Sequence, residues 1–159
     1  MDIFKEACKI GNVKTVEELL PSIDPSGLNN WAIRLASEKG HLEIVRLLLA
    51  DPRVDPSDAY NYAIRWASEN GNLDIVKLLL ADPRVNPSDL NNYAIRWASA
   101  YRRADVVRLL LEDPRVDPTA LDNWAIKHAR KHDHTEIVNL LTEHMYRLDG
   151  PEYNKNMIL

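Results

Sequence analysis

The chain has 159 residues, 45% of them hydrophobic and 28% charged, and a formal net charge of −4. That balance argues against a general nucleic-acid binder, which carries a basic surplus. No stretch reaches the ~18 apolar residues of a membrane span. The start Met1-Asp2-Ile3-Phe4-Lys5-Glu6 is too charged for a signal peptide. The single cysteine, Cys8, forms no internal disulfide, consistent with a reducing, intracellular and cytoplasmic setting.

Taken in order, residues 1–23 form a degenerate first unit. Ala7-Cys8-Lys9-Ile10-Gly11 matches Ala36-Ser37-Glu38-Lys39-Gly40. Val13, Val16, Leu19 and Leu20 make only a narrow apolar stripe beside Lys14, Glu17 and Glu18. A polar outer face is what the end of a stack requires, and its position at Met1 points to a complete array. Cys8 stands where Ser37 and Ser68 stand, which reads as a small core residue and not as a reactive thiol.

From Asp24 the chain repeats itself. Units begin at Asp24, Asp55, Asn86 and Asp117, a fixed step of 31. Units 55–85 and 86–116 are identical at 20 of 31 positions. A period of this size means a solenoid of stacked units. Each unit holds two helical patterns. The first is Leu90, Tyr93, Ala94, Trp97 and Ala98. The second is Leu73, Val76, Leu79 and Leu80, widened by Ile75 and Leu78. Gly40 or Gly71 between them suits a left-handed helix end, and Asn72 is placed as an N-cap. Asp82-Pro83 stops the second helix. Ser88 or Asp89 is placed to cap the next first helix. The sequence therefore predicts an all-α solenoid of about five helix-turn-helix units: a cap at 1–23, repeats at 24–54, 55–85 and 86–116, and a C-terminal cap repeat at 117–148. In the last unit Asp133 replaces the turn glycine. Its second helix continues through Glu143, Met145 and Leu148 until Asp149-Gly150-Pro151. The tail, 149–159, has no periodicity; it is either loose or folded back through Met157-Ile158-Leu159.

Gly40-His41-Leu42-Glu43-Ile44-Val45-Arg46-Leu47-Leu48-Leu49 resembles the second-helix signature of the ankyrin repeat family. Ala67-Ser68-Glu69-Asn70-Gly71 resembles that family's Ala-Ala-x-x-Gly turn. The resemblance extends to about Leu148. Two features depart from the family. Trp31-Ala32-Ile33-Arg34 and Tyr62-Ala63-Ile64-Arg65 stand where Thr-Pro-Leu-His is usual. The period is 31 where about 33 is usual. The missing residues fall between Asp82 and Asn92, where the family builds a β-hairpin finger. A short or absent hairpin is expected there, partly replaced by an earlier start of the first helix.

No nucleotide loop, nucleophile elbow or paired-cysteine motif is present, and neither an enzymatic function nor a cofactor is expected. His128 and His132 have the i,i+4 spacing of zinc ligands, but His128 occupies the packing register of Leu35, Trp66 and Trp97, so no metal is assigned. Arg34, Arg65, Arg96 and Lys127 recur once per unit. They form either a cationic track for an acidic ligand or structural bonds to Asp51, Asp82, Asp113 or loop carbonyls. Trp66 and Trp97 are read as core with one exposed edge, and the resemblance makes them partner anchors on the concave face. Ala100-Tyr101-Arg102-Arg103-Ala104 breaks the repeat, and Arg102 replaces the turn glycine. With Arg130-Lys131-His132 it gives an aromatic and basic patch of hot-spot residue types, or else neutral variation on a tolerant turn. The resemblance implies a protein-interaction scaffold, monomeric, whose protein partner carries an acidic patch. The alternatives are a structural or designed array with no partner, and a local nucleic-acid or acidic-ligand binder.

Overall fold

A computed structural model describes residues 2–149, and the Met157-Ile158-Leu159 segment lies outside them. Ten α-helices follow one another among these residues: α1 (Asp2–Ile10), α2 (Val13–Leu19), α3 (Gly27–Lys39), α4 (Leu42–Ala50), α5 (Asp58–Asn70), α6 (Leu73–Leu80), α7 (Asp89–Ala100), α8 (Ala104–Leu110), α9 (Ala120–Lys131) and α10 (Thr135–Asp149). They pair as α1/α2 through α9/α10 and stack in chain order. The first helices of successive units pack far more closely than the second helices do. The stack therefore curves with the first helices on its inner side.

The core is a repeated set. Each central first helix buries Ala63, Ile64, Ala67 and Ser68 or their equivalents Ala94, Ile95, Ala98 and Ser99. Each second helix answers with Ile75, Val76 and Leu79, or Val106, Val107 and Leu110. The seat of the first-helix stripe thus differs from expectation: Ile95 takes the centre, Tyr93 and Trp97 lie half-exposed, and Leu90 is outside it. Cys8 is fully buried, and burial pushes its thiol up to about 11, so it stays protonated.

The turns between paired helices follow the sequence. Gly71 has φ 80°, and Arg102 and Asp133 hold φ 60° and 56° at the same place. Asn72 holds the N-cap position of α6 as expected, with a different bond. Its side chain makes no bond to its own helix; it reaches back 2.9 Å to the Ser37 carbonyl of the preceding unit. His41 (to the Lys9 carbonyl) and His134 (to the Ser99 carbonyl) do the same at 3.0 Å. These residues join neighbouring units by satisfying the orphan carbonyls at a helix end.

There is no strand among the described residues, so the finger is absent. What replaces it is a left-handed turn. Leu28-Asn29-Asn30, Ala59-Tyr60-Asn61, Leu90-Asn91-Asn92 and Leu121-Asp122-Asn123 all have φ between 48° and 60°. Each turn is closed by the Asn amide donating to the carbonyl four residues back, as from Asn61 to Ser57 at 2.8 Å. Left-handed geometry costs roughly 1–2 kcal/mol per residue with a Cβ, least for asparagine. Two sets of bonds offset the cost. Arg65 donates to the carbonyls of Tyr60 (2.8 Å) and Ala59 (3.0 Å), and Arg96 repeats this on Asn91 and Leu90. Meanwhile Asn61, buried, accepts from the Asn86 amide (2.7 Å) and donates to Asp89 (2.9 Å) in the next unit.

This geometry inverts the usual effect of glycine. Ala59→Gly is expected to stabilise by about 0.5–1 kcal/mol, because glycine relieves the φ of 53°. Ala63→Gly, in right-handed helix and fully buried, is expected to cost at least about 1 kcal/mol. Urea denaturation of the two variants checks the contrast, and equal destabilisation by both would exclude the left-handed turn.

Candidate functional site

The inner face is built from first-helix positions turned away from the core. Tyr62 and Trp66 lie opposite Ile64 on α5, as Tyr93 and Trp97 lie opposite Ile95 on α7. Between these rings run the recurring cations. Lys5 lies 5.7 Å over Trp31, Arg34 5.0 Å over Tyr62, Arg65 5.0 Å over Tyr93 and Arg96 5.2 Å over Trp124. Each cation comes from the unit before its ring. The result is a ladder of alternating charge and π-face, worth roughly 0.5–2 kcal/mol per rung. Arg65 and Arg96 are buried, and desolvation pulls their pKa values down without neutralising a guanidinium.

The recurring arginines bond to turn carbonyls and not to Asp51, Asp82 or Asp113. Those aspartates hold other partners. In each Asp-Pro-Arg-Val segment the arginine forks onto its own aspartate, Arg84 Nε on Asp82 Oδ1 at 3.0 Å and Nη2 on Oδ2 at 2.6 Å. Its Nη1 reaches the Val54 carbonyl of the unit before at 2.8 Å. Arg53 and Arg115 repeat this on Ile23 and Val85. The arginine hydrogen bonds hold all three carboxyls below the ordinary carboxylate range. A depressed folded pKa contributes stability that is present above about pH 4 and is lost as pH falls through the folded value. The melting temperature is therefore expected to hold near neutrality and to drop below about pH 4. Asp82→Asn is expected to lower it at pH 7 and to shallow the acid slope; an unchanged slope would show that this bond stores no pH-linked stability.

Along the ladder the chemistry changes. Tyr62 donates to Glu38 (3.0 Å) and Tyr93 to Glu69 (2.7 Å). Burial and then these carboxylates push the Tyr62 phenol up to about 12, and the Tyr93 phenol up likewise. At the next joint the tyrosine becomes Trp124 and the glutamate becomes Ala100, so the polar tie is gone and rings fill the space. Trp97 then contacts Tyr93 (5.6 Å between centroids), Tyr101 (5.7 Å) and Trp124 (5.3 Å). Trp124 stacks on His128 at 4.0 Å, and His128 leads to His132 at 5.3 Å. Tyr101 is 49% exposed and His132 is exposed, so the cluster has an open edge. Burial among the rings, followed by repulsion from His132, Lys131 and His134, lowers the His128 pKa and favours a neutral imidazole.

The structure brings together some of the residues marked in the sequence and separates others. Trp97, Tyr101 and His132 share the aromatic cluster. Trp66 stacks on Tyr62 (5.4 Å), outside that cluster. Arg130 and Lys131 are exposed at the end of α9. Arg102 lies on the turn, away from the rings. Arg103 occupies the place of His41 and Asn72, and its Nε donates to the Glu69 carbonyl at 3.0 Å. Trp124 joins the cluster without having been singled out, and His128, read from the sequence as a packing position, joins it as well. The signal for Trp124 was Ala100 in the register of Glu38 and Glu69, which removes the acceptor that the hydroxyls of Tyr62 and Tyr93 use.

The fold and these joints can be set beside known proteins. A family model described as ankyrin repeats (3 copies) matches residues 64–157, and another described as ankyrin repeats (many copies) matches residues 32–80. No curated protein matches the chain. With most of its length matched, all-helical and stacked in repeated pairs, the chain belongs to the ankyrin repeat family.

Proposed function

We propose that the protein is a non-catalytic, monomeric intracellular scaffold that binds a protein partner on the inner face of its C-terminal half. Ankyrin repeats are generally protein–protein interaction modules. The observation that supports a specific place is the open-edged cluster of Trp97, Tyr101, Trp124, His128 and His132. Exposed aromatics beside cationic side chains are the residue types that dominate binding energy. Exposed Lys131 and Arg130 on α9 fit a partner with an acidic patch beside its apolar anchor. Arg102 contributes at the rim, Arg103 only through the turn it holds, and Trp66 extends the surface toward the N-terminus.

The test is affinity capture with the wild-type chain and with Tyr101→Ala/Arg102→Gly. Tyr101 is half-exposed and Arg102 sits at a glycine-favouring φ, so the variant is expected to keep its helical circular dichroism and melting temperature. A saturable partner retained by the wild type is expected to bind the variant at least about tenfold more weakly, the size of one aromatic hot spot. Equal retention would remove this patch from the binding surface.

A further inference from the structure

The inner face repeats one setting at successive joints. In unit 55–85 it is Tyr62, Arg65, Trp66 and Glu69, closed by Tyr93 of the next unit. In unit 24–54 it is Trp31, Arg34, Leu35 and Glu38, closed by Tyr62. The difference lies at the third position. Trp66 lays its indole on Tyr62 at 5.4 Å between centroids, Trp97 lies 5.6 Å from Tyr93, and His128 stacks on Trp124 at 4.0 Å. At Leu35 the flat ring is missing. There Trp31, Arg34, Leu35, Glu38 and Tyr62 line an open hollow of about 120 Å³. A cavity of about 150 Å³ takes a whole benzene molecule, so a hollow open on one side holds a single ring with its edge in solvent. Sites for free small molecules enclose roughly 300–1,000 Å³. The guest that fits is therefore one aromatic side chain carried by a polypeptide.

The polar groups of the hollow select among aromatic side chains. Arg65 and Arg96 each place Nε on a turn carbonyl at 2.8 Å. Arg34 Nε has no partner among the described residues, and its Nη2 reaches the Leu28 carbonyl only at 3.4 Å. The Arg34 guanidinium thus keeps a donor to give, which the arginines beside Trp66 and Trp97 do not. Phenylalanine leaves that donor unmet, and an indole N–H only donates. A phenol oxygen accepts from Arg34. Its hydrogen has a neighbour in Glu38, which accepts from Tyr62 (3.0 Å) and Lys39 (2.9 Å) and retains lone pairs.

We propose that this hollow docks a tyrosine side chain of a partner polypeptide. Its ring takes the place that Trp66 and Trp97 fill in the following units, and its hydroxyl satisfies Arg34. The walls come from α3 and α5, inside the stack. The site is separate from the C-terminal aromatic cluster and does not rest on it.

The test uses the full chain, isotope-labelled, with N-acetyl-L-tyrosinamide and N-acetyl-L-phenylalaninamide as probes. The tyrosine probe is expected to shift the Trp31 indole and Arg34 Nε–H signals saturably. It is expected to bind about tenfold more tightly than the phenylalanine probe, the usual worth of a hydrogen bond to a charged group. Leu35→Trp supplies the missing ring from within. Helices α5 and α7 carry tryptophan at that position, so the variant is expected to fold and to lose the saturable shifts. Arg34→Met keeps the stem without the donor and is expected to bring the two probes to equal affinity. The proposal is overturned if neither signal moves up to the solubility of the tyrosine probe, or if the wild type binds both probes equally. It is also overturned if Leu35→Trp binds as the wild type does, or if Arg34→Met keeps the preference. Shifts confined to the Trp97 and Trp124 indoles would overturn it too, while leaving the reading of the C-terminal cluster intact.

Discussion

Leu79→Ala is expected to lower stability by about 2–5 kcal/mol. Leu79 is fully buried in the last turn of α6, and that helix sits between α4 and α8. Removing the isobutyl group forfeits its transfer free energy and leaves a cavity that two fixed neighbours cannot collapse. In a solenoid each unit contacts only its neighbours, so the loss falls on two interfaces. Urea titration should show the lower midpoint. Hydrogen exchange should show faster opening in α4, α6 and α8, with α1 and α2 nearly unaffected. Uniform loss of protection across all ten helices would contradict nearest-neighbour stacking.

The second large effect lies on a polar residue. Asn61→Ala is expected to cost about 3 kcal/mol. It strands the Asn86 amide and the Asp89 carboxylate partner, at roughly 1–3 kcal/mol for an unsatisfied buried group, and it puts alanine at φ 56°. Asn61→Gly separates the two causes. Glycine tolerates that φ but restores neither bond, so it should be less harmful than alanine by about 1 kcal/mol. Both variants should melt cooperatively at lower denaturant. If Asn61→Ala is as stable as the wild type, the asparagine does not join the units.

The helices, their pairing and the short loops were legible because apolar spacing and a period of 31 are local signals. The turn glycines and the φ of Arg102 were legible for the same reason, since a replaced glycine still inherits its backbone. The left-handed turn was not. Leu90 continues the helical spacing of Tyr93 and Ala94, and only a three-dimensional structure shows the hand reversing between Asn92 and Tyr93. The clue was the asparagine closing every such turn, at Asn30, Asn61, Asn92 and Asn123. The partners of the arginines were hidden too. Asp82 and Arg84 are two apart, close enough to pair with each other, which leaves Arg65 to find carbonyls that exist only once the turn forms. The aromatic cluster was half legible: Tyr101 and His132 break the repeat openly, whereas Trp124 replaces one aromatic with another and passes for conservation of shape.

The joints carry a further consequence. Every tie between units links residues at near-constant sequence separations: Arg84 to the Val54 carbonyl, Asn61 to the Asn86 amide, Arg65 to the ring of Tyr93. Duplicating or excising the whole 31-residue block 55–85 would therefore leave no donor stranded and no ring uncovered. Such a chain grows or shrinks in quanta, and its reach can be reset in a single recombination event while both ends keep their own chemistry.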